Sequence, residues 1–174
     1  LLKAALKGTG LVVTPTRVGS DLEVESDFTD GEEEIWLTLT GGGASTLVEV
    51  KSARTDRVRM TPRQAATACE EAGRFVLCVV PIDSITPTLD EVRSSSLFVF
   101  GIGDQLRDVW RGYEMMRDAT DLACESSGSI QLEVIEGQAR FSVHESLWRR
   151  GLGLADAAKR FRAPLDSGTQ GNRA

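Results

Sequence analysis

Residues 75–81, Phe75-Val76-Leu77-Cys78-Val79-Val80-Pro81, are apolar at every position. Side chains of a strand alternate between its two faces. A run with nothing polar on either face marks a strand buried on both, which requires a sheet covered on both sides. Just ahead, Thr61-Pro62 reads as a helix N-cap followed by Pro at the first helical position. Ala65, Ala68, Cys69 and Ala72 then place small residues on one helical stripe, and Gly73 is the stop. A helix with so thin a stripe can lie close to a sheet. The class is therefore α/β.

Upstream, residues 1–7 carry apolar side chains at helical spacing and end at Gly8. Residues 11–14 are a short β-like run broken by Pro15. Residues 21–28 alternate, with Leu22, Val24 and Phe28 against Asp21, Glu23 and Glu25, as in a half-buried strand with an acidic face. Thr29-Asp30-Gly31 is a turn signal, and residues 35–40 alternate again with Ile35, Leu37 and Leu39 on one face. Gly41-Gly42-Gly43 closes a hairpin into residues 46–53 and lacks the following Lys and helix of a phosphate loop. A meander of 21–28, 35–40 and 46–53 gives the first half the order αβββαβ with a mixed sheet.

In the second half, 82–96 reads as a turn-rich connection and 97–102 as an apolar strand. Residues 104–119 form a helix burying Leu106, Val109, Trp110, Tyr113 and Met116. After a linker at 126–129, residues 130–135 and 139–143 form a hairpin, 154–161 a short amphipathic helix, and 164–174 a polar, disordered tail. The expected organisation is a core over 1–83, a C-terminal α+β extension over 84–163 packing on or beside it, and the tail.

Composition bounds the function. The formal charge of −6 argues against a free-standing nucleic-acid binder with a basic surface. Acids crowd residues 21–34, while Arg54, Arg57, Arg59 and Arg63 form one basic cluster and Arg149, Arg150, Lys159, Arg160 and Arg162 another. Such clusters are solvated faces or places that meet phosphate. Cys69, Cys78 and Cys124 show no metal spacing and read as buried thiols of a reducing compartment. No apolar run reaches membrane-spanning length and no signal peptide opens the chain, so a cytoplasmic location without membrane contact is expected. The start at Leu1, without Met, suggests a piece of a longer polypeptide. His144, the only histidine, has no nucleophile signature beside it and reads as an exposed or hydrogen-bonded side chain. Gly101-Ile102-Gly103 is read as a strand-to-helix turn, and Trp36, Trp110 and Trp148 as packing residues.

One strand carries chemistry. In residues 46–53, Glu49 and Lys51 share a face while Val48 and Val50 take the other. An ion pair on a solvated sheet face is one reading. The other is a place for a metal and a water. In the meander, Asp21 can approach Glu49; two carboxylates plus the Val50 carbonyl are hard oxygen ligands suited to Mg²⁺ or Mn²⁺. Lys51 would then orient a bound water or stabilise charge on a phosphate.

Gly19-Ser20-Asp21-Leu22-Glu23, a hairpin, and Val48-Glu49-Val50-Lys51-Ser52 together resemble the PD-(D/E)xK nuclease superfamily, closest to Mrr-like domains and the NO VEIN C-terminal domain family. The capped segment Met60-Thr61-Pro62-Arg63-Gln64-Ala65-Ala66-Thr67-Ala68 and the apolar strand extend the likeness over residues 1–83. The resemblance implies a restriction-endonuclease-like core. It implies Asp21, Glu49 and the Val50 carbonyl as metal ligands, Lys51 as base or charge stabiliser, and Gln64 as an accessory group. Arg63-Gln64 stands where the family has Asn-Glu, and Glu23 and Glu25 rival Asp21 as ligands. The implied function is a Mg²⁺-dependent endonuclease that hydrolyses DNA, the effector part of a larger protein in defence against foreign DNA. The alternative is a catalytically inactive module of the same fold, contacting protein or DNA within a multidomain regulator. Expected partners are DNA, further domains of a parent chain, and a second copy in a homodimer.

Overall fold

The structure, a computed structural model, describes residues 1–16, 36–41, 44–84, 86–117, 129–135 and 138–163. In chain order its elements are α1 (Leu2–Ala5), β1 (Val12–Thr16), β2 (Trp36–Gly41), β3 (Ala44–Ala53), β4 (Arg57–Met60), α2 (Pro62–Glu70) and β5 (Phe75–Pro81). There follow α3 (Leu89–Ser95), β6 (Leu97–Phe100), α4 (Ile102–Arg117), β7 (Ile130–Ile135), β8 (Gln138–His144), α5 (Glu145–Trp148), β9 (Leu152–Gly153) and α6 (Leu154–Arg162). Six strands form one mixed sheet in the order β1-β2-β3-β5-β6-β9, and β4-β8-β7 form a second. Within the large sheet β3 and β5 are parallel and the other pairs antiparallel. Setting β4 aside in its own sheet, the first half has the expected αβββαβ order.

Both faces of the large sheet are covered. Leu37, Leu39, Val48, Val76, Cys78, Val80 and Phe98 pack under α1, α3 and α6, through Leu2, Leu6, Val92, Ala157 and Phe161. The opposite face, with Phe75, Leu77, Val79 and Val99, packs against α2, α4, α5 and the small sheet, through Ala65, Ala68, Leu106, Phe141, Val143 and Trp148. β5 is buried along nearly its whole length, as its sequence requires.

Four expectations change. The place beside β2 assigned to 21–28 is held by β1, which runs through Pro15 (opposite Leu37) instead of breaking there. A proline is tolerated because among the described strands β1 is the sheet's edge and needs no donor on its outer side. Residues 21–28 lie outside the described residues, as do the tail from 164 and most of the 126–129 linker. The 82–96 connection contains α3, started by a Thr88/Glu91 capping box whose two hydrogen bonds are 3.2 and 2.6 Å. The 130–143 hairpin is joined by β4, because Val58 and Met60 alternate inward against β8 while Arg57 and Arg59 face out. Finally, β6 ends at Phe100 and α4 begins at Ile102, with Gly101 at φ +69° making the turn.

Residues 84–163 supply strands to both sheets. α4 reaches α2 through a close backbone crossing at Gly103. A Cβ there would lie 1.9 Å from the Ala68 carbonyl oxygen. Gly103→Ala is expected to push α2 off α4 and cost about 3 kcal/mol, the upper range for overpacking. Urea denaturation checks this, and an unchanged midpoint would show that the helices are not held at this spacing.

Candidate active site

Glu49 and Lys51 occupy the face of β3 that looks toward α2, the side opposite Val48 and Val50. Glu49 is only 1% exposed, and Lys51 15%. They form an ion pair, Nζ to Oε1, of 3.2 Å. The solvated-face reading therefore does not hold, because the carboxylate is inside the protein. Burying a charge is unfavourable unless it is paired and hydrogen-bonded, and a second donor comes from α2.

That donor is Gln64, itself fully buried. The N-cap Thr61 accepts from the Gln64 N–H at 3.2 Å, and the Thr61 N–H donates to Gln64 Oε1 at 2.9 Å, completing a capping box. Its other amide atom, Nε2, donates to Glu49 Oε1 at 2.8 Å. One side chain thus closes the helix start and clamps the strand carboxylate. A glutamate at this position could cap equally well but would bring a second negative charge against Glu49. Gln64→Leu keeps the volume and removes both contacts, leaving a buried carboxylate and a helix N–H each short of one partner. It is expected to cost about 2 kcal/mol, read as a lowered urea midpoint.

β2 begins at Trp36, opposite Glu49. Beyond that row, β3 from Val50 to Ala53 pairs only with β5 among the described strands. Thr16, the last residue of β1, is paired with Trp36. Thr16, Trp36 and Glu49 therefore form one row across the sheet, and segment 17–35, which lies outside the described residues, leaves and re-enters at that row. Asp21 follows Thr16 by five residues, a reach of up to about 17 Å. Two strand spacings separate Thr16 from Glu49, about 10 Å. The tether is long enough for Asp21, Glu23 or Glu25 to reach Glu49.

Of the expected site residues, the structure brings Glu49, Lys51 and Gln64 together, with the main chain of Val50 between the first two; Asp21 lies outside the described residues. No group of three or more metal-ligating side chains occurs among the described residues. In the first basic cluster, Arg57 and Arg59 are tied to Glu133 at 2.8 and 3.1 Å on the outer face of the small sheet. Burial alone would raise the Glu133 carboxyl, but hydrogen bonds from Arg59 and Arg57 outweigh it and hold the group below the usual carboxylate range. Arg54 and Arg63 are exposed and form no ion pair among the described residues.

The remaining candidates are structural. His144 caps α5, its Nδ1 accepting from the Ser146 N–H at 3.2 Å, and its Nε2 lies 3.2 Å from Asp56. Trp148 is buried, and Trp110 packs against Phe141 and Tyr113. Cys69 and Cys78 are free thiols, and burial pushes both up, Cys78 most strongly, which keeps it inert. Among the described residues no helix is long and apolar enough to cross a membrane.

No protein-family model matches the chain, and no curated protein matches it. Among solved structures it is similar to Hjc, a Holliday junction resolvase from Archaeoglobus fulgidus, at 17% identity and a TM-score of 0.42. The match covers 92% of this chain and 94% of that one. A likeness this distant carries no assignment.

Proposed function

We propose that the chain is a metal-dependent endonuclease domain of the PD-(D/E)xK superfamily that hydrolyses DNA phosphodiester bonds. The observation that carries the reading is the buried Glu49–Lys51 pair, clamped by Gln64 on the helix that links two parallel strands. Its support is the αβββαβ order and a sheet row on which the segment bearing Asp21 is anchored at both ends.

The donor chemistry fits a hard cation. Mg²⁺ is held by one or two carboxylates and completes its shell with waters and phosphate oxygens. Glu49 would supply one carboxylate, Asp21 the second, and Val50 a main-chain carbonyl. When bound, the ion supplies a Lewis acid and a more acidic water. The protein's own part is positional and electrostatic. Gln64 fixes the Glu49 carboxylate through Oε1. Lys51 already serves a carboxylate as an ammonium donor, which suits it to hydrogen-bond a phosphate oxygen as negative charge grows there. It acts as charge stabiliser, not base. The packed face around Phe75, Leu77 and Val79 keeps the pair out of bulk water and strengthens both interactions.

The test is cleavage of plasmid DNA by the purified chain with Mg²⁺ or Mn²⁺. Nicking is expected, and undiminished cleavage by both Glu49→Gln and Lys51→Ala would sink the assignment. The net charge of −6 is accommodated if other domains of a longer chain supply most of the grip on DNA, as in an effector module of defence against foreign DNA. One observation favours a second reading, an inactive module of the same fold: Lys51 and Gln64 both already engage Glu49 within the protein, at its Oε1. A wild-type chain that neither binds Mn²⁺ calorimetrically nor cuts DNA would select it.

A further inference from the structure

At the opposite edge of the large sheet, a cavity of about 310 Å³ opens between β6, the first turn of α4, the turn after α5, and α6. Its wall includes Phe98, Phe100, Gln105, Ser129, Arg150 and Arg160, and among the described residues no carboxylate lines it. It shares no residue with the Glu49 site and lies across β5 from it. We propose that this cavity binds a phosphate group carried on an organic ligand.

Two adjacent basic pairs carry the argument. Arg149 is neutralised by Glu145 at 2.6 Å, and Lys159 by Asp156 at 2.8 Å, each within its own helical turn. Their neighbours Arg150 and Arg160 line the cavity and form no ion pair among the described residues. Arg160 stacks its guanidinium over the Phe100 ring, 4.3 Å from the centroid. Stacking fixes the plane of the fork and leaves its edge N–H groups to donate to an anion. The turn carrying Arg150 is pressed onto β6, since a Cβ at Gly151 would come within 3.0 Å of the Phe98 and Trp148 carbonyl oxygens. The Arg160 guanidinium is thus placed before any ligand arrives, and the backbone that carries the exposed Arg150 is fixed beside the cavity. Gln105 and Ser129 add neutral polar groups to the same wall.

Phosphate suits two forked donors better than a carboxylate does, because its two or three non-bridging oxygens are set tetrahedrally and not in one plane, so that they can serve both guanidinium groups at once. The volume is at the low end for small-ligand sites. It admits a phosphate with a few attached atoms and excludes a duplex. The phosphate can come from a free nucleotide or from a single nucleic-acid strand, and the chemistry at the two arginines is the same.

Calorimetric titration of the full chain with AMP, adenosine and a short single-stranded oligonucleotide tests the proposal. AMP or the oligonucleotide should bind, and adenosine should not. Binding of AMP identifies a free nucleotide; binding of the oligonucleotide alone identifies a strand. Either ligand should bind about tenfold more weakly or worse to Arg150→Gln and Arg160→Gln, each of which removes a charge-assisted donor. Arg160→Lys, which keeps the charge but not the fork, should also weaken it and guards against misfolding of the glutamine variant. Arg149→Gln and Lys159→Gln remove equal charge outside the cavity and should leave binding unchanged. Equal weakening by all four charge-removing variants would reduce the effect to diffuse attraction and overturn the proposal, as would no binding by the wild type. The titrations are made without Mg²⁺ or Mn²⁺, so this result is independent of whether the chain cuts DNA.

Discussion

Glu49→Gln should lower DNA cleavage by on the order of 10³-fold or more, and Lys51→Ala by about 10²- to 10³-fold, the range seen when a charge-stabilising donor is removed from a water-excluded site. The glutamine keeps the shape of Glu49 and its place against Gln64 but carries no charge to hold a divalent cation. Both changes also unpair a largely buried ion, so stability must be read beside activity. Removing one partner of a fully buried pair costs about 3–5 kcal/mol. Lys51 retains some exposure and can turn toward water, which places the cost of Glu49→Gln below that range. If far-UV circular dichroism and the urea transition show a folded variant while cleavage is lost, the loss belongs to the site. Folded variants that cut at the wild-type rate would remove Glu49 and Lys51 from the chemistry.

What could be read from residue order was whatever short-range physics decides. The apolar run of β5 required cover on both faces and has it. Thr61-Pro62 started a helix where a cap and a fixed φ coincide. Glu49 and Lys51 shared a face because strands alternate. The same logic was available for Thr88 and Glu91, whose spacing is that of a capping box, but the surrounding Pro and Ser residues pointed to turns. β4 was harder: four residues with Arg at alternate positions look like a charge cluster until Phe141 and Val143 of β8, more than eighty positions away, receive Val58 and Met60. Gln64 shows the limit most clearly. Its place in the cap follows from Thr61 three residues earlier, while its bond to Glu49 exists only because α2 lies over β3. The buried state of the carboxylate, which separates a site from a surface ion pair, was therefore a tertiary fact.

A chain truncated after Asp83 should not fold. β5 would lose β6, which pairs with it from Val76 opposite Phe100 to Val79 opposite Leu97. A seven-residue apolar strand would become an open edge, a template for aggregation. On one face the cut removes α4, β7, β8 and α5, and with them the cover over Met60, Ala68, Phe75, Leu77 and Val79. On the other it removes α3 and α6, uncovering Val76, Cys78 and Val80. Exposing a buried Phe, Leu, Val or Met side chain costs about 1.5–3 kcal/mol, so half a dozen such residues amount to about 10 kcal/mol. That equals the whole stability of an ordinary domain, about 5–15 kcal/mol. The expected outcome is an insoluble or collapsed fragment without a cooperative melt, against one cooperative transition for the full chain. A soluble 1–83 fragment that melts cooperatively would instead make residues 84–163 an appendage. In that case Glu49, Lys51 and Gln64 would be buried by the first half alone.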